Sequence, residues 1–104
     1  MKDLELSCFK IISAVGEAKS DYIEAMRKAR DNRLEEAREC LVKGKAISIE
    51  GHKAHAELIQ KEANGEDVKV NLLLLHAEDQ LMTAETVYIM AEEIIELYER
   101  QHKI

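Results

Sequence analysis

Apolar or small residues fall at Leu4, Cys8, Ile11, Val15, Ala18, Tyr22, Ala25 and Ala29, in steps that alternate between four and three. Such steps return to one face of an α-helix, so the spacing predicts a helix over about 3–30 with a single apolar seam. Asp31-Asn32 breaks the pattern, and both residues suit a tight turn. A second seam, Leu34, Ala37, Leu41, Gly44, Ser48, Gly51, His55 and Leu58, predicts a helix over about 33–63. Its middle is made of small residues. Gly44 and Gly51 each cost about 1 kcal/mol of helix propensity relative to alanine, which predicts close approach of a neighbouring helix there. Another stripe on the same segment, Val42, Ile49, Ala56 and Ala63, repeats every seven residues on a different face. Asn64-Gly65-Glu66-Asp67 is the clearest loop signal. Beyond it, Leu74, Ala77, Leu81, Ala84, Tyr88, Ala91, Ile95 and Tyr98 predict a third helix over about 70–101.

Short turns between long helices predict an all-α, antiparallel up-down-up three-helix bundle, a single domain over 1–104. Each helix would be about 40–45 Å long. Leu73, Leu75, Met82, Val87, Met90 and Ile94 lie outside the third seam. Three helices cannot mutually cover so much apolar surface, so the pattern also predicts a homo-oligomer. The second stripes on helices two and three would supply its interface.

Composition narrows the function. The net charge of the 104 residues is -6, and no basic face is visible for nucleic acid. The same balance argues against an anionic membrane surface, and the Leu72–Leu75 run is far too short to span a bilayer. Met1-Lys2-Asp3-Leu4-Glu5 carries acids where a secretory signal would be apolar, so a cytoplasmic location is expected. Cys8 and Cys40 make no disulfide framework; Cys8 falls on the first seam, where a buried thiol acts as a small hydrophobe.

Candidate chemistry concentrates in the third helix. His76 directly follows four leucines, and Asp79, Gln80 and Thr83 stand three, four and seven residues on. These side chains form one polar strip on a helix that is otherwise largely apolar. Imidazole titrates near neutral pH, which suits proton or phosphoryl transfer or metal ligation. The plainer alternative is a histidine at a core edge, bonded to a neighbour. Asp79 reads as a cation ligand, an orienter of His76 or a solvated acid. Gln80 and Thr83 either give hydrogen bonds around His76 or simply pack, and Glu78 and Glu85 read as surface acids. His52 and His55 have the spacing of two metal ligands on one helix face, with an interface pair as the alternative. Glu99 and His102 form one half of a di-iron pattern that requires two such pairs on four helices. No phosphate-binding glycine loop, catalytic triad or Cys-x-x-Cys is present.

The block His76-Ala77-Glu78-Asp79-Gln80-Leu81-Met82-Thr83 resembles the His-Ala-Gln-Asp-His-Leu-Met-Thr motif of the lactose/cellobiose-type enzyme IIA of the bacterial sugar phosphotransferase system. Gly16-Glu17-Ala18-Lys19-Ser20, His52-Lys53-Ala54 and Ile59 through Glu66 resemble further blocks of that family, in the same order. The resemblance covers about Leu6 to Tyr98. It implies that His76 takes a phosphoryl group from the phosphocarrier protein HPr and passes it to a cysteine of the cognate IIB domain during sugar uptake. It also implies a homotrimer whose three copies of Asp79 hold a divalent cation, usually magnesium, on the threefold axis. The chain departs from the common motif at Glu78 and His55, where glutamine is usual, and at Gln80, where histidine is usual. A Glu78 pointing towards His76 would slow transfer; one pointing away would matter little. A different class of reading is a trimeric interaction module in which His76 is inert. A third, a metal enzyme built on His52, His55 and His76, would need those helices to converge. Which lactose-, cellobiose- or chitobiose-type sugar is imported is not written in these residues.

Overall fold

A computed structural model describes residues 2–102. It contains three helices, α1 (Lys2–Arg30), α2 (Leu34–Ala63) and α3 (Leu72–His102), and no strand among the described residues. The helices run antiparallel in an elongated bundle of 56 × 20 × 19 Å.

Both turns close in the same way. Asn32 adopts a left-handed φ of 67°, the Arg33 N–H donates to the Lys28 carbonyl and the Asn32 N–H to that of Ala29. Gly65, at φ 86°, ends α2 with the matching pair of bonds, Glu66 to Lys61 and Gly65 to Glu62. These are Schellman closures, which satisfy carbonyls that a helix end leaves orphaned. The third helix starts at Leu72 rather than near Val70, because Asn71 caps it: its side-chain oxygen accepts from the Leu74 N–H at 2.8 Å.

The α1 seam is buried from Cys8 to Ala29 and forms the spine of the core. Leu4, the first residue of that seam, is half-buried. One cluster joins Cys8, Ile11 and Val15 to Ala54 and Leu58 of α2 and to Leu74, Ala77, Leu81 and Ala84 of α3. A second gathers Tyr22, Ala25 and Ala29 with Ala37, Leu41, Ala91 and Ile95. The two α2 glycines do what their cost predicts. A methyl group on Gly44 would stand 2.6 Å from the Tyr22 ring, and one on Gly51 would stand 2.8 Å from Val15. Each glycine is the hole that receives an α1 side chain, so α1 and α2 close tightly.

Three seam positions differ from expectation. Ala54, not His55, takes the buried place on α2, and His55 sits half-buried at the edge. Tyr88 and Tyr98 are half-buried as well, as phenols that keep one end wet commonly are. Burial pushes the Cys8 thiol above its ordinary pKa, with the charges of Glu78 and Glu5 adding to the rise. A buried, poorly ionised thiol reacts slowly. Titration of the native protein with a chromogenic disulfide reagent at about pH 8 is therefore expected to register one fast thiol, Cys40, and a second only after denaturation. Two fast thiols would show that the core around Cys8 opens readily.

Candidate functional site

Turned away from α1, α3 presents a face that the single chain leaves bare. Leu72, Leu75, Met82, Ile89 and Leu97 are all more than half exposed, Leu72 reaching 82%. With Asp79, Thr86 and Glu93 they complete a second three-four seam along the same helix. Asp79 is thus a carboxylate set into an apolar stripe. His76 and Thr83 lie exposed on its flank, and Gln80 is half-buried beside them. The polar strip read from the sequence therefore exists as one contiguous surface, just beyond the first turn of α3.

The histidines separate by what they touch. Nε2 of His55 lies 2.6 Å from Oε1 of Glu78, and Nε2 of His52 lies 3.3 Å from Oε1 of Glu85. Both rings join α2 to α3. Among the described residues no side chain hydrogen-bonds His76, so its ring nitrogens face solvent. Of the three histidines within the helices' central spans, His76 is the one available to an incoming group.

The same contacts dispose of the metal-enzyme reading. No group of three or more histidine, cysteine, aspartate or glutamate side chains converges on a point among the described residues. His52 and His55 each meet a glutamate rather than each other's metal. Glu99, half of the supposed di-iron pattern, forms a bidentate pair with Arg38 at 2.7 and 3.0 Å.

Glu78 is not the surface acid that its type suggested. It is half-buried and turned to α2. Residues two apart on a helix point to nearly opposite sides, so the Glu78 side chain leaves the helix away from His76. Glu85 is exposed, as expected. The His–Glu contacts were the feature least visible in the sequence, because each depends on how two antiparallel helices align.

Across α2 and α3 the contacts share a polarity. His55, His52 and Arg38 of α2 meet Glu78, Glu85 and Glu99 of α3, and the Lys45 ammonium lies 4.4 Å from the Tyr88 ring centre. Between these rungs α2 and α3 touch little and leave a groove of about 430 Å³ over Val15, Tyr22, Ser48 and Leu81. No helix among the described residues is long and apolar enough to cross a membrane.

Comparison with known proteins agrees with this arrangement. The family described as the lactose/cellobiose-specific IIA subunit of the PTS system matches residues 6–99. The lichenan-specific phosphotransferase enzyme IIA component of Bacillus subtilis is 42% identical over 95% of this chain and 90% of its own length. A lactose-specific EIIA component from Streptococcus mutans is 33% identical over 88% of each chain. The crystal structure of the cellobiose-specific enzyme IIA of Bacillus anthracis superposes with a TM-score of 0.95 at 40% identity, covering 99% of this chain and 94% of the other. The chain belongs to the lactose/cellobiose-specific IIA family of the phosphoenolpyruvate-dependent sugar phosphotransferase system, and is a IIA component of it.

Proposed function

We propose that His76 is the phosphoryl carrier of this IIA component, and the observation that carries the reading is its exposed ring, free of the glutamate partners that occupy His52 and His55. The donor is the phosphohistidine of HPr. An unprotonated ring nitrogen of His76 attacks its phosphorus, a P–N bond forms here and the donor's P–N bond breaks. The cysteine thiolate of the cognate IIB then attacks the same phosphorus, and the His76 nitrogen departs. Little covalent work falls to the protein; in-line placement dominates such transfers. A convex partner can reach His76 because nothing in its own subunit covers it. IIB passes the group on during uptake of a lactose-, cellobiose- or chitobiose-type sugar, and the IIA component works in the cytoplasm.

The working unit is a homotrimer in which the bare α3 seams meet around a threefold axis. Leu72, Leu75, Met82, Ile89 and Leu97 then bury one another, which offsets their exposure in the single chain. Three copies of Asp79 converge there. Carboxylates are hard oxygen donors, and an acid flanked by Leu75 and Met82 in the seam fits a divalent cation such as magnesium better than it fits an empty interface. Bound, the ion supplies neutralising charge for assembly. Gln80 and Thr83 flank His76 and are the nearest candidates for hydrogen bonds to the carried phosphoryl group.

Intact-mass measurement after incubation with phosphoenolpyruvate, enzyme I and HPr tests the reading. A single acid-labile adduct is expected on wild type and none on His76→Ala. An adduct that persists in the variant would move the site elsewhere. Its absence from folded wild type would favour an inert interaction module.

A further inference from the structure

The contact between His55 and Glu78 is the shortest link between α2 and α3 and joins residues 23 apart in sequence. α2 and α3 are the least closely packed pair of helices, and α3 around Glu78 is seated mainly on α1 through Leu74, Ala77 and Leu81, so this contact is a direct polar tie between α3 and α2.

We infer that His55 and Glu78 form a latch that positions His76. This rests on the phosphocarrier reading above. The imidazole N–H donates to the carboxylate and holds α3 in one rotational setting against α2. Glu78 points at α2 while His76, two residues earlier, points outward, so the setting of one determines the setting of the other. With side chains about 6 Å from the helix axis, a rotation of about 10° carries the imidazole by about 1 Å. Displacements of that size can cost about a hundredfold in transfer reactions. The latch also occupies the Glu78 carboxylate. His55 and Glu78 thus act through His76 as positioning residues and need not touch the phosphoryl group.

His52 and Glu85 provide the matched comparison. Their contact is longer, 3.3 Å, and the Glu85 side chain is 53% exposed. An exposed pair of this kind holds geometry weakly.

The test follows transfer from phosphorylated HPr in single-turnover quench experiments read by intact mass. His55→Leu is expected to slow transfer about tenfold at saturating donor, with the half-saturating donor concentration unchanged. The double variant His55→Gln with Glu78→Gln, whose amides can still hydrogen-bond, is expected to return within about twofold of wild type. His52→Leu is expected to stay within about twofold throughout. If circular dichroism shows that His55→Leu does not fold, Glu78→Leu replaces it, with a slowing in the same direction. Wild-type rates in the leucine variant, or a double variant as slow as the single one, would overturn the latch. A defect confined to the half-saturating concentration would overturn it too, pointing to docking instead. Absence of any adduct on wild type would overturn the phosphocarrier reading itself, and the latch with it.

Discussion

Replacing Tyr22 with alanine is expected to lower the unfolding free energy by about 3–5 kcal/mol, a large share of what a domain of this size possesses. The ring is 2% exposed and is the largest side chain fully enclosed by the bundle. It lies edge-on to Tyr88 with centroids 5.2 Å apart, and its edge fills the hole over Gly44. Removing it cannot be compensated locally, because the helix opposite offers no side chain at Gly44 to swing inward. Burial pushes the pKa of this phenol upward, and Ser48, which lines the same groove, spends its hydroxyl proton on the Lys45 carbonyl. Thermal unfolding followed at 222 nm should show a midpoint lower by about 15 °C or more. A fall of only a few degrees would mean that the space closes by movement of α2, and that the tight α1–α2 contact is softer than it looks.

Much of this fold is legible because one physical signal dominates it. The α1 seam is the one fully buried stripe of that helix, so three-four spacing locates every buried residue from Cys8 to Ala29, while Leu6 and Phe9 lie off it and stay exposed. Gly44 and Gly51 are legible from cost: a glycine in mid-helix is tolerated where a neighbour needs the room, and Tyr22 and Val15 are those neighbours. The start of α3 could have been read from Asn71, a capping residue three positions before Leu74, but the apolar Val70 drew the boundary early. His55 was misplaced on the buried seam because spacing alone cannot distinguish it from Ala54; the attraction of Glu78 on another helix can. At the site, the strip of His76, Asp79, Gln80 and Thr83 is a matter of helical period and was visible. What chemistry it performs was not, since period says nothing about reaction. That came from the motif and from the family to which the chain belongs.

In the proposed trimer, Asp79→Leu is expected to produce an assembly that survives chelation, whereas the wild-type assembly should weaken when divalent cations are removed. The sign follows from the seam. Wild-type Asp79 places three carboxylates near one axis inside apolar surroundings, where unneutralised like charges are costly. A cation cancels that cost, so removing it should shift the equilibrium towards monomer. Leucine removes the charges and adds apolar contact worth about 1.5–3 kcal/mol per side chain if fully buried. Met82→Glu should act in the opposite direction, adding a second ring of charge one turn further along the same face, which is 62% exposed at Met82 in the single chain. Sedimentation velocity with and without a chelator reads both variants. A trimer for Asp79→Leu in either condition and a monomer for Met82→Glu would support an axial α3 seam. A monomer for Asp79→Leu would remove Asp79 from the axis. The helix signal should change little in every case, because Asp79 and Met82 lie outside both core clusters and the bundle of each subunit closes without them.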